Sequence, residues 1–153
     1  MNDLIIRKCV DDDFLKVKEL MQSVQDFHHK MRCDIHKDNE IFEKKEFDKK
    51  KNDIVVATLN DEVIGVLIYL IKNGSVINYV YQRKVLFVDA LVVDSNYRRL
   101  GIGKSLMDEA FNIARENDCV SVELNVWDFN SNAKKFYDNL GMSVKTIILE
   151  KEV

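Results

Sequence analysis

Between Asp53 and Val93 lie three runs, DIVVATL, EVIGVLIYLI and VLFVDALVV, in which β-branched residues crowd together with few charges. Side chains branched at Cβ keep their preferred rotamers on a pleated surface, so these runs predict strands, the last of them buried and central. The first two are separated by Asn60-Asp61, which reads as a hairpin turn, and Gly65 marks a candidate bulge. Around them, apolar residues recur at helical spacing. Phe14, Val17, Leu20, Met21, Val24 and Phe27 follow Asp11 to Asp13, which can cap a helix. Lys104 to Arg115 carries Leu106, Ala110, Ile113 and Ala114 on one side, and Asn130 to Leu140 is a helix ended by Gly141. LIIRKC, VSVELNVW and SVKTIILE are further predicted strands. Cys33 to Lys51 is dominated by charge, with Ile41, Phe42 and Phe47 as its apolar stripe; it reads as a weak second helix or a mobile segment. After the turn signal Asn73-Gly74, SVINYVYQRK is ambiguous between strand and loop. With no proline in the chain, Gly, Asn and Asp carry all the punctuation. Strands and helices mixed in this order predict one α/β (α+β) domain over residues 1–153, with helices packed on a twisted sheet.

The composition narrows the function. A chain of 153 residues with 46% hydrophobic and 32% charged residues is expected to bury a real core and not to be disordered. A formal charge of −3 argues against a nucleic-acid or anionic-membrane partner, both of which want a basic face. Cys9, Cys33 and Cys119 are odd in number and lack a C-x-x-C pair, which suggests neither a disulfide framework nor a zinc site. A reducing cytoplasm fits, since MNDLIIRKC lacks a signal-peptide apolar region and no run approaches the ~20 apolar residues needed to cross a bilayer.

Against that background the stretch YRRLGIGKSL, Tyr97 to Leu106, places two of the chain's five glycines one residue apart. Its end, Gly103-Lys104-Ser105, imitates a P-loop, but Arg98 stands where that loop needs its first glycine. A dinucleotide fingerprint starting at Gly101 would need glycine at Leu106 and a strand directly before it, and DSNYRR intervenes. What remains is exposed N–H groups at a helix start beside Arg98, Arg99 and Lys104, an arrangement suited to a pyrophosphate. An ordinary glycine turn flanked by solvated cations is the competing reading of the stretch taken alone.

Arg98-x-x-Gly101-x-Gly103, preceded by the strand VDALVV, resembles the [QR]-x-x-G-x-[GA] signature of the GNAT superfamily of N-acetyltransferases. NSNAKKFYDNLGM is similar to the same superfamily's Asn, Ala, Tyr and Gly-hydrophobic pattern. The match covers about Val85 to Met142. The resemblance implies a mostly antiparallel twisted sheet with helices on both faces, acetyl-CoA as acyl donor and an amine as acceptor, with no metal. It also implies that backbone groups of Leu91, Val92 and Val93 meet the pantetheine arm. Arg98, Arg99, Leu100, Gly101, Ile102, Gly103, Lys104 and Ser105 would hold the phosphates, and Asn130, Ala133 and Tyr137 would lie along pantetheine and sulfur. A homodimer is compatible with it.

The chemistry needs two more roles. An alkylammonium of pKa ~10 must lose a proton before its nitrogen attacks a thioester, so a base is required. Asp89 is the only ionisable residue of VLFVDALVV, and is either that base or a strand-edge carboxylate that is solvated or paired with a cation. Tyr137 is either a core tyrosine on the stripe Ala133, Phe136, Tyr137, Leu140 or the acid that meets the departing thiolate. The oxyanion of the tetrahedral intermediate would take a strand N–H freed by splaying next to Leu91. His28, His29 and His36 have no companion set for a metal and are candidates for lining the acceptor pocket. Cys119 lacks a neighbouring histidine and reads as a structural thiol, so direct transfer is favoured over an acetylated enzyme. Lys134 and Lys135 form a solvated helix face, from which one could reach the adenosine 3′-phosphate. The competing class of function is a non-catalytic acyl-CoA-binding regulatory domain.

Overall fold

The computed structural model describes residues 3–74 and 79–153. Five strands form one sheet in sequence order: β1 (Leu4–Lys8), β2 (Ile54–Leu59), β3 (Glu62–Lys72), β4 (Val85–Val93) and β5 (Ser121–Leu124). Neighbours are antiparallel except β4 and β5, which run parallel. Four helices cover it: α1 (Phe14–Met31), α2 (Lys44–Lys50), α3 (Ile102–Glu116) and α4 (Ser131–Asn139).

The alternation of the strands divides the core in two. Val55, Leu67, Leu86 and Val88 pack with Ile102, Leu106, Met107 and Ala110 of α3, and Phe136, Tyr137 and Leu140 of α4 and its end close the same cluster. Val56, Val66, Ile68 and Val92 point the other way, onto Val17 and Leu20 of α1 and Phe47 of α2. The predicted helices on both faces and mostly antiparallel sheet are thus present, because the central strands β2, β3 and β4 bury both sets of their side chains.

Local differences from the sequence reading have physical causes. Asp13 does not cap α1; its carboxylate accepts from the Val10 amide at 2.8 Å and from both terminal nitrogens of Arg7 at 2.7 and 2.9 Å, clipping β1 to the start of the helix. The bulge in β3 falls on Ile64, beside Gly65, since Ala57 pairs with Gly65 and Thr58 with Val63. Gly65 itself serves packing, because a Cβ there would meet Leu106 and Ile102 of α3 at 3.1 and 3.2 Å. Between Cys33 and Lys51 a short helix forms, anchored by the buried Phe42 and Phe47, whose rings meet edge to face. Tyr79 to Lys84 is turn and loop; the first part of SVINYVYQRK, residues 75–78, lies outside the described residues. VSVELNVW is a strand only over Ser121–Leu124, since its pairing with β4 ends at Leu124 opposite Val88. SVKTIILE is not a strand: Val144, Ile147, Ile148 and Leu149 are 76–94% exposed, and no neighbouring edge pairs with them among the described residues.

Candidate active site

The parallel ladder between β4 and β5 is short. Val85, Leu86, Phe87 and Val88 pair with Ser121 to Leu124, and from Asp89 onward β4 continues to Val93 with only β3 beside it. Its other edge therefore presents unpaired N–H and C=O groups over Asp89, Ala90, Leu91, Val92 and Val93, a stretch able to pair with an extended amide-bearing molecule. The departure begins at a bulge. Ile68 pairs with Ala90 and Tyr69 with Val88, which leaves Asp89 as the extra residue. Such an insertion re-aims a side chain, and Asp89 is turned to the α2 side, where its Oδ2 accepts from Lys50 Nζ at 3.0 Å. Both members are about a third exposed, and Lys50 also reaches Glu46 at 3.4 Å. Burial disfavours the Lys50 charge, but the bonds to Asp89 and Glu46 outweigh it and raise its pKa.

β4 leads into the turn that carries the glycines. Asp94 accepts from the Asn96 amide at 2.9 Å and organises a single 3₁₀ turn, Ser95–Tyr97. Arg99 and Gly101 then both adopt left-handed backbone, with φ of 62° and 83°. Alternation of this kind turns successive N–H groups to one side and makes a concave anion cradle. After Tyr97 N, which donates to Asp94 O, the next amide of the turn with a backbone acceptor among the described residues is Ser105 N, on Gly101 O at 3.0 Å. The intervening amides sit at the positive end of the α3 dipole, with Arg98, Arg99 and Leu100 exposed beside them. Lys104 is partly committed to Asp108 at 2.6 Å on the exposed face of α3, and Ser105 donates its hydroxyl to Gly101 O. Ile102 is a core residue, so only its backbone can face the cradle. Gly103 lies where α4 comes close: a Cβ there would stand 3.3 Å from Phe136.

The opposite wall is α4 and the loop before it. Asn130 caps α4, its Oδ1 accepting from Ala133 N at 3.1 Å, which leaves its amide nitrogen to donate outward. Tyr137 packs half-buried against the α3-side core, edge to face with Phe136 at 5.0 Å, and burial pushes its phenol up to about 12. It therefore stays protonated across the physiological range and can donate a hydrogen bond. Asp89 and Tyr137 belong to opposite faces of the sheet, with the gap between β4 and β5 separating them.

The three histidines named from the sequence meet aromatic side chains that the sequence reading did not single out. Trp127 and Phe129 stack at 5.8 Å in the loop before Asn130, and Phe27, His28 and His36 close around them at 4.9–6.0 Å. His29 Nδ1 lies 2.7 Å from His36 O, and Arg32 stands 5.8 Å above the Trp127 ring. This cluster joins the end of α1 to the loop that carries Asn130; burial, reinforced by His36, lowers the His28 pKa. The lone tryptophan two residues before Phe129 was the signal available. Lys50 as the partner of Asp89 had none, being 39 positions away. Cys119 is half-buried where α3 meets β5, and Lys134 pairs with Asp128 at 2.8 Å on the solvated face of α4. Among the described residues no group of three or more His, Cys, Asp or Glu side chains could hold a metal.

Sequence and fold both match known proteins over most of the chain. The model of the acetyltransferase (GNAT) family aligns with residues 17–142. The chain belongs to that family. Acetyl transfer is the reaction of GNAT proteins and acetyl-CoA their usual donor. A mutant of the BH1408 protein from Bacillus halodurans is similar in structure, with a TM-score of 0.87 and 26% identity over 97% of this chain and 99% of that one. The aminoglycoside N-acetyltransferase AAC(6′)-Iy, solved in complex with CoA, shares the fold with a TM-score of 0.76 at 14% identity, over 97% of this chain and 94% of its own. In sequence, the N-alpha-acetyltransferase 30 of Homo sapiens is 44% identical over 55 residues, which are 36% of this chain and 15% of the human protein. The chain thus spans only a small part of that curated relative. Among the described residues no helix is long and apolar enough to cross a membrane.

Proposed function

We propose that this GNAT protein is an N-acetyltransferase that moves the acetyl group of acetyl-CoA directly onto a primary amine of a small molecule or peptide. The observation that carries the reading is the open edge of β4, Asp89 to Val93, ending in the cradle of amides between Arg98 and Ser105. The backbone of Leu91, Val92 and Val93 pairs with the pantetheine amides. The amides of Arg99 to Lys104, with the side chains of Arg98 and Arg99, hold the pyrophosphate, and Asn130 Nδ2 donates to the arm beside Ala133.

The acceptor approaches from the α1–α2 face. With Oδ2 on Lys50, Asp89 uses Oδ1 to take the ammonium proton, through a water where the amine does not reach it. The free nitrogen attacks the thioester carbonyl, the N–C bond forms, and the oxyanion settles on a β4 amide next to Leu91; the nitrogen, now cationic, gives its second proton to water, and the C=O bond re-forms as the thiolate leaves. As the C–S bond breaks, Tyr137 donates its proton to the departing sulfur and later recovers one from solvent. A phenol near 12 is a weaker acid than an ordinary thiol, so it shares the proton as negative charge builds on sulfur and does not release it beforehand. The acidic balance of the chain favours a cationic acceptor.

The test is a panel of primary amines with acetyl-CoA, reading free thiol and product mass together. An N-acetyltransferase releases one thiol for each acetylated amine. A non-catalytic CoA-binding domain binds CoA in calorimetry, yet releases no thiol with any acceptor.

A further inference from the structure

The first turn of α1 carries Lys16, whose ammonium faces carboxylates from three parts of the fold: Glu19 of its own helix at 2.9 Å, Glu62 at the start of β3 at 3.8 Å and Asp94 just past β4 at 3.4 Å. The side chains of Glu19 and Glu62 are 66% and 56% exposed, so water solvates their charges without Lys16; that of Asp94 is 12% exposed and depends on a partner. Asp94 is also the residue that shapes the turn into the cradle. Its Oδ1 accepts from the Asn96 amide at 2.9 Å, its Oδ2 faces Lys16, and its own amide donates to Ile64 O at 2.9 Å. The bond from the Asn96 amide, joined by the charges of Lys16 and Arg98, outweighs burial and holds the Asp94 carboxyl below its ordinary pKa. Arg98 belongs to the cradle. A carboxylate that attracts it repels an anion placed beside it, and an uncompensated negative charge there would offset part of the pull of the α3 dipole.

The turn thus needs Asp94 as its cap and is harmed by the charge the cap brings. We propose that Lys16 is a positioning residue for the acyl donor: it neutralises Asp94, so that the cap holds the turn without repelling the pyrophosphate of CoA. The role rests on the reading of the cradle as the pyrophosphate site. Lys16 touches no part of the donor and acts through Asp94 alone. An ion pair near the surface adds little to folding, so the effect of this one is expected in the field over the cradle and not in the melting of the fold. It also ties α1, which covers the face from which the acceptor approaches, to the turn that holds the donor.

Calorimetry with CoA on the full chain measures this as a double-mutant cycle of wild type, Lys16→Met, Asp94→Asn and the double variant. Asparagine keeps a side-chain oxygen for the Asn96 amide and removes only the charge. Lys16→Met should weaken CoA binding about tenfold at low salt, and the loss should shrink in 1 M salt, where charges are screened within ~3 Å. Adding Asp94→Asn to Lys16→Met should bring the affinity back to within about threefold of the wild type, and Lys16→Arg should bind as the wild type does. A wild type that binds no CoA removes the pyrophosphate site and this role with it. A wild type that binds CoA beside a Lys16→Met variant of equal affinity leaves the site standing and overturns the role of Lys16. So does a double variant as weak as Lys16→Met, which would mark Lys16 as support for the packing of α1 and not as a compensating charge.

Discussion

At the scale of single residues, Tyr137 and Asp89 are where packing and chemistry compete. Tyr137→Phe keeps the ring and its edge-to-face contact with Phe136, so the melting temperature should hardly move. If the hydroxyl meets the leaving sulfur, kcat and kcat/KM should fall together by roughly 10²–10⁴-fold, with KM for acetyl-CoA nearly constant. A rise in KM at preserved kcat would instead mark a hydroxyl that binds donor equally in ground and transition states. For Asp89→Asn the loss should be greatest at low pH, where the unprotonated amine is scarcest. A pH–rate profile parallel to that of the wild type would take Asp89 out of the proton path. Lys50→Met separates the ion pair from the base: it frees Asp89 Oδ2 and should change the profile without abolishing activity, which steady-state rates across pH can check. Asp89 was legible as the single charge in an apolar strand, and Tyr137 as part of a motif. Their placement on opposite faces of the sheet was not, because it depends on a bulge created by pairing with β3.

At the scale of elements, the turn between β4 and α3 binds through backbone, so its sensitivity lies in conformation. Gly101 has φ of 83° with open space around it, and a side chain there strains the turn by about 1–2 kcal/mol without striking anything. Gly103 has ordinary φ but sits against Phe136. Gly101→Val and Gly103→Leu should each weaken CoA binding at least tenfold in calorimetry while far-UV circular dichroism stays native; unchanged affinity in both would remove the cradle from the account. The Arg7–Asp13 clip governs a different property. Burial would raise the Asp13 pKa, but the bonds from Arg7 and the Val10 amide outweigh it and hold the group below the usual carboxylate range. A carboxylate depressed in the folded state stabilises above its unfolded pKa of ~3.9, and that contribution is lost as pH falls through the folded value. Acid titration of the wild type should therefore lose more stability below about pH 4 than Asp13→Asn does, the variant being about 1–3 kcal/mol less stable at neutral pH in urea melts. The capping expectation is met one turn early: Asp13 accepts from the Val10 amide at the 3₁₀ turn Asp11–Asp13 and not from an amide of α1, and Arg7 adds two charged donors to the same carboxylate.

At the scale of the whole molecule, the order of strands and helices was readable from residue periodicity, because each element carries its own apolar pattern, whereas helices on both faces of the sheet were implied only by the resemblance to the GNAT superfamily. The missed feature, SVKTIILE as a free segment, has the same cause. Its apolar pattern predicts a strand, but a strand also needs a paired edge, and the pattern of one segment does not supply that. The aromatic and histidine cluster was likewise hidden, since Phe27, His36 and Trp127 come together only once α1 lies beside the loop before α4. Direct transfer in the gap between β4 and β5, with no acyl group held on Cys119 or elsewhere on the chain, is the central claim of the proposed function. Isotope-labelled acetyl-CoA mixed with the protein and an accepted primary amine, with both amine and protein then weighed by mass spectrometry, tests that claim most directly. The label should appear on the amine nitrogen in step with thiol release, and none on the protein. Label accumulating on the protein before it reaches the amine, or thiol released with the amine unchanged, would contradict it.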